Sequence, residues 1–203
     1  TNVQSRVIED VMVKANIPYQ MVGGVKFYDR KEIKDVLAYL RLTVNVNDDI
    51  SLRRIINVPK RGIGPATMDK IAAYAEQSEM SCFYALLEVE HIGLSKRITD
   101  DLQQFVSFIQ QMHAMMEYLP ASELIEEVLQ RSGYRQELKR ENTLEAEGRL
   151  ENINELLTVA QEFEVRNEDK SLISFLTELA LVADLDQLDN QDQPKDAVTL
   201  MTL

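Results

Sequence analysis

A single cysteine in 203 residues, Cys82, has no thiol with which to form a disulfide and no second ligand for a zinc site, which fits a reducing cytoplasm. Histidine is almost as scarce. His91 and His113 lie far apart and neither falls in a metal or triad pattern, so both read as structural or solvated. A Walker A sequence is absent: Gly23-Gly24 continues as Val25-Lys26, and Gly62-Ile63-Gly64 as Pro65-Ala66. No apolar run approaches the roughly 18 residues of a membrane span, and no charged-then-apolar leader stands at the start. Cations are in deficit, with 22 Lys and Arg against 34 Asp and Glu and a net charge of −12. In so acidic a chain, pairs such as Asp48-Asp49 and Glu126-Glu127 read as solvated or capping residues. No catalytic residue and no metal ligand is assigned. The expectation is a soluble globular chain, 45% apolar, sized for one generous domain or a domain with pieces of another.

The shortage of cations makes their placement informative. Residues 1–19 hold two basic and two acidic side chains, residues 20–70 ten and six, and residues 71–203 ten and twenty-six. Arg53 to Arg61 carries four cations and no acid. Inside this block, Asn57-Val58-Pro59-Lys60-Arg61-Gly62-Ile63-Gly64-Pro65-Ala66-Thr67 reads as a Gly-Ile-Gly turn running into a helix with proline in its first turn. Glycines permit positive φ and close approach of the backbone to a ligand. The free N–H groups and positive dipole end of the following helix, beside Lys60 and Arg61, form a phosphate site of the helix-hairpin-helix kind. Gly-x-Gly before a helix is also an ordinary tight connection. The local basic excess favours the phosphate reading, with about three phosphates neutralised.

The remaining pattern is mainly α. Ile33, Val36, Leu37 and Leu40 recur at helical spacing, with Asp29 and Glu32 resembling a capping box. Asp49 to Ile56 reads as a short helix before the turn and Thr67 to Ala75 as the helix after it. Further helices are expected at 81–89, 95–118, 121–131, 133–140, 143–165 and 171–183, the 143–165 helix with Leu150, Ile153, Leu157 and Ala160 on its apolar stripe. Only the ends read as strand, at 16–22 and 197–203. A two-stranded piece is marginal alone, so the chain is expected to be an excised segment. Gly23-Gly24 and the acidic stretch 184–196, with Pro194, read as connectors, and a helical block held between two connectors describes an inserted domain that swings as a body.

Several stretches together resemble superfamily 1 DNA helicases of the UvrD/Rep/PcrA type. They are Thr1 to Arg6, Ile17-Pro18-Tyr19, Gly23-Gly24, Phe27 to Asp35, Tyr39-Leu40-Arg41, Arg54 to Asn57 and Pro59 to Gly64. Arg149 to Asn152, Glu155-Leu156 and Val198 to Leu203 extend the likeness over essentially the whole chain. The resemblance implies that 1–22 and 197–203 belong to the second RecA-like α/β motor domain, 2A, with 197–203 the return strand that starts motif V. Residues 23–196 would then form the helical 2B accessory domain. It implies a parent chain that is an ATP-dependent 3′–5′ DNA helicase of repair and plasmid replication. ATP and Mg2+ would be held by a first motor domain not in this segment, which alone should not hydrolyse ATP.

By the same resemblance, Lys60, Arg61, Gly62, Ile63, Gly64 and Thr67 contact duplex ahead of the fork, binding phosphates without reading bases. Lys26, Arg30, Lys31 and Lys34 are candidates for extending that surface. A solvated helix face is the alternative for these four, because Asp29, Glu32 and Asp35 are interleaved. Asn2 and Thr202 fall on the single-stranded DNA track. Expected partners are DNA, the rest of the helicase chain, and repair, replication-initiator or transcription proteins, with no membrane. Two rival readings are a free-standing helix-hairpin-helix module and an acidic protein-binding scaffold, the latter from the −16 balance of residues 71–203.

Overall fold

The computed structural model describes residues 2–15, 17, 19–22, 25–191 and 198–201. Their order is α1 (Asn2–Lys14), β1 (Tyr19–Val22), a 3-10 turn (Phe27–Asp29), α2 (Lys31–Val44), α3 (Asp49–Ile55), α4 (Pro65–Gln77) and α5 (Cys82–Leu87). A second 3-10 turn (Val89–His91) leads to α6 (Lys96–Met115), α7 (Ala121–Arg131), α8 (Tyr134–Glu141), α9 (Leu144–Arg166), α10 (Leu172–Gln191) and β2 (Val198–Met201). The mainly helical expectation holds, and none of the described helices is long and apolar enough to cross a membrane.

Helix ends follow local chemistry. Asp48 caps α3, its carboxylate accepting from the Ser51 amide at 3.0 Å and the Ser51 hydroxyl at 2.6 Å. Thr143 does the same for α9 through the Ala146 amide. The start of α7 is held by another helix, since Glu164 of α9 accepts from the Ser122 amide at 2.7 Å. Asp29 and Glu32 do not form the expected capping box. Arg30 occupies the cap position of α2 without a side-chain bond, Asp29 closes the 3-10 turn and pairs with Lys34, and Glu32 turns into the core. The reason is that Glu32 finds a buried partner on α9, where Asn152 Nδ2 donates to its Oε1 at 2.5 Å.

Helix α2 sits at the centre. Ten of its 14 residues are buried, many more than the four-residue stripe visible in the sequence, because α3, α6, α7, α9 and α10 pack around it. Ile33, Val36, Leu40 and Leu42 are fully enclosed, and Leu172 and Phe175 of α10 join the same core. On α9 the buried stripe is Asn152, Ile153, Leu156, Val159, Ala160 and Phe163, with Leu150 and Leu157 at its margin.

The two strands pair in parallel, Tyr19 with Val198 through Val22 with Met201, so the helical block forms the crossover between them. Expected strand residues Asn16, Pro18, Ala197, Thr202 and Leu203 lie outside the described residues, as do Gly23, Gly24 and 192–197. The connector expected at 184–196 is corrected over its first part, since α10 continues to Gln191. Residues 184–191 contain neither proline nor glycine, and Leu and Gln are good helix formers, so the helix runs on through them.

A polar cluster binds α2 to α9 and α1. Arg30, only 7% exposed, donates from Nη1 to Asn152 Oδ1 at 2.7 Å and from Nε to the Val25 carbonyl at 3.3 Å. Burial lowers its guanidinium from the usual arginine value, and the Glu9 and Glu32 carboxylates oppose that shift. Glu9 of α1 accepts from the Phe27 amide at 3.2 Å. Asn152→Ala removes the amide that serves both Arg30 and Glu32 and is expected to cost roughly 2–3 kcal/mol. The measurement is the urea midpoint at unchanged m value. An unchanged midpoint would show that the cluster contributes nothing net.

Candidate nucleic-acid interface

The turn between α3 and α4 is assembled from the inside. The Asn57 side chain accepts from the amides of Arg61 at 2.8 Å and Ile63 at 3.2 Å, folding residues 57–63 back on themselves. Ile63, 3% exposed, anchors the loop in the core. The Val58–Pro59 peptide is cis. Arg61 Nη1 donates to the carbonyls of Ile55 at 3.0 Å, Ile56 at 3.1 Å and Pro59 at 3.3 Å, and its guanidinium stacks 5.2 Å from the Phe105 ring centre. Its Nη2 donates to Tyr39 Oη at 2.7 Å, and that hydroxyl donates to the Val58 carbonyl at 2.5 Å. Burial pushes the Tyr39 phenol up to about 12, against the pull of Arg61, so it stays protonated and remains a donor.

The two glycines differ. Gly62 has φ +73°, the left-handed region that favours glycine, whereas Gly64 is extended at φ −86° and ψ 176° and caps α4 ahead of Pro65. A Cβ on Gly64 would meet nothing within 4 Å, so neither backbone conformation nor packing requires a glycine there. The expectation of positive φ therefore holds for Gly62 and not for Gly64.

Outside the turn, the amides of Gly62, Gly64 and Ala66 have no partner among the described residues. Lys60 is exposed beside them, also unpaired among the described residues. Thr67 is half-buried in the first turn of α4, with its amide on the Gly64 carbonyl at 3.1 Å. A groove of about 450 Å³ runs from the turn to α6 and the end of α7, its lining including Lys60, Arg61, Gly62, Arg97, Asp101 and Arg131. Arg97 is exposed and unpaired among the described residues, while Arg131 bonds Glu127 at 2.5 Å and Gln111 at 3.2 Å.

The structure sorts the remaining candidates. Arg30 leaves the candidate surface, because it is buried in the polar cluster. Lys31 and Lys34 are exposed, but Lys34 pairs with Asp29 at 2.7 Å. Lys26 Nζ lies 5.0 Å over the Tyr19 ring, well away in the chain from the turn. Asn2 heads α1, and Thr202 lies outside the described residues. Of the four cations from Arg53 to Arg61, Arg54 lies 2.8 Å from Asp35, and Arg61, half-buried at the groove, has both its Nη atoms bonded within the protein. Arg97 and Arg131 went unnoticed because they fall in the acidic part of the chain. A signal was present: Lys96 and Arg97 open a helix, the end where the dipole disfavours cations.

The glycine contrast gives a stability test. Gly62→Ala is expected to cost about 1–2 kcal/mol from left-handed strain, whereas Gly64→Ser is expected to be neutral because serine is a good helix cap. Equal losses in chemical denaturation would mean that both positions are constrained by the fold itself.

Across its full length, residues 1–203, the chain matches the family described as the UvrD-like helicase C-terminal domain. It is 55% identical over 205 aligned positions to a Staphylococcus epidermidis protein named ATP-dependent DNA helicase PcrA, and 54% identical to a Staphylococcus aureus protein of the same name. Each alignment covers 100% of this chain and 28% of the relative, so the chain spans little more than a quarter of the curated relatives it matches. With helices packed around α2, a parallel strand pair near its two ends and a family match over residues 1–203, the chain belongs to the UvrD-like helicase C-terminal domain family.

Proposed function

We propose that this chain is the duplex-holding and regulatory segment, 2B with flanking pieces of 2A, of an ATP-dependent 3′–5′ DNA helicase acting in repair and plasmid replication. The observation that carries this reading is Gly64. It is a glycine that the fold does not need, at the start of a helix whose first amides have no partner among the described residues and which follows the turn where Lys60 and Gly62 share a groove with Arg97. A residue without Cβ lets a phosphate approach the amides of Gly62, Gly64 and Ala66, where the helix dipole and the two cations favour it. Such contacts hold any sequence, as a protein tracking a fork requires. Thr67 adds a hydroxyl on the same helix turn.

The terminal elements support a motor-domain origin for α1, β1 and β2. Parallel sheets are ordinarily covered on both faces, and α1 leaves Val7, Ile8 and Val11 at 54%, 44% and 56% exposure. In this reading the further length of the parent enzyme supplies the missing strands, the ATP and Mg2+ site, and the single-strand track to which Asn2 and Thr202 belong. In this reading the helical block moves relative to the motor, bringing the turn toward or away from the fork. Repair, replication-initiator or transcription proteins are partners of the parent enzyme.

The test is binding of a labelled duplex of arbitrary sequence over a salt series. Two outward cations predict a slope of log K against log salt of roughly −2, rather than the −3 expected from the basic block alone. Lys60→Ala and Arg97→Ala should each reduce the slope by about 0.9, and Gly64→Val should weaken binding while leaving the slope intact. The segment alone should turn over no ATP. Binding indifferent to salt, or unchanged in both affinity and slope by Lys60→Ala, contradicts the reading.

A further inference from the structure

Arg61 stands in the basic run beside Lys60, yet its guanidinium is spent within the protein. Nη1 serves carbonyls at the C-terminal end of α3, where a helix leaves acceptors unpaired and its dipole favours a cation. Nη2 is held by Tyr39, whose side chain is fully buried on α2, and one face is covered by Phe105. Swinging this group out to a phosphate would strand those carbonyls and the Tyr39 hydroxyl.

Asn57 completes the arrangement. By accepting from the amides of Arg61 and Ile63 it ties those two to its own side chain, and the intervening and following amides, of Gly62 and Gly64, are left without a partner among the described residues. The alternation is what makes the turn a display of amides.

We propose that Arg61, Tyr39 and Asn57 are positioning residues that set the outward presentation of the Gly62 and Gly64 amides, and that Arg61 itself neutralises no phosphate. This rests on the turn being a duplex contact, and it specifies which cation of the pair does the contacting. A positively charged side chain at 61 is insufficient. The planar fork is required, because only arginine can reach the helix-end carbonyls and the phenol together.

The experiment compares Lys60→Ala, Arg61→Ala, Arg61→Lys and Tyr39→Phe in the 203-residue chain. Duplex affinity and its salt slope are measured, together with the amide resonances of Gly62 and Gly64 without DNA. Tyr39→Phe is nearly isosteric and carries no charge, so it keeps the test open should Arg61→Ala fold poorly.

Arg61→Lys and Tyr39→Phe are each expected to weaken binding about five- to tenfold with the slope unchanged, the loss of one hydrogen bond's worth of positioning. Both should shift the two glycine resonances. Lys60→Ala is expected to lower the slope by about 0.9 and leave those resonances in place. If Arg61→Ala lowers the slope as Lys60→Ala does and Arg61→Lys restores it, Arg61 is a phosphate ligand and the proposal is overturned while the duplex contact stands. Unmoved glycine resonances in Arg61→Lys and Tyr39→Phe overturn it without reference to DNA. If Lys60→Ala changes neither affinity nor slope, the duplex contact fails and the proposal fails with it.

Discussion

A helix with ten of its 14 residues buried must find partners for the polar groups it takes into the core, and α2 takes in several. Glu32 reaches Asn152 of α9, which in turn holds Arg30. Asp35, 2% exposed, accepts from Tyr134 Oη of α8 at 2.9 Å and faces Arg54 of α3. Near its end, the Thr43 carbonyl accepts from His113 Nδ1 of α6 at 2.8 Å. Tyr39 supplies the hydroxyl on which the glycine turn is hung. Each partner lies on a different element, so satisfying the central helix also decides where its neighbours stand. Leaving any of these groups unpaired would cost of the order of 1–3 kcal/mol.

The surface turn inherits its precision from that arrangement. A loop of glycines is ordinarily adaptable, and its amides would point wherever solvent allowed. Here the loop is tied at Asn57, at Ile63 and at the Arg61 fork, all referred back to the core. Gly62 and the cations of Lys60 and Arg97 then line one groove without having to be organised by a ligand. Preorganisation of this kind lowers the cost of binding any ligand that the turn takes.

Periodicity made most of the helices legible in the sequence, and composition marked the two terminal strands. What stayed hidden were polar residues acting as core. Asn152 interrupts the apolar stripe of α9, Glu32 looked like a cap, and Arg30 looked like a surface cation, because sequence alone does not reveal a partner more than a hundred residues away. Arg61 was misleading for the same reason: its charge was visible, its acceptors were not. Arg97 reaches the site only through packing of α6 against the turn. Gly62 and Gly64 were legible as a pair, but only backbone geometry separates the strained glycine from the one the fold could spare.

The account stands on the claim that this turn presents its alternate amides and one of its two cations to a phosphate backbone. Titrating the isotopically labelled chain with a short duplex, and following backbone amide and arginine side-chain resonances together, tests it most directly. The account predicts that the Gly62, Gly64 and Ala66 amides move on binding while the Arg61 guanidinium keeps its free-state signals. Shifts confined to another face, or an Arg61 side chain that changes with the bound phosphate, would contradict it.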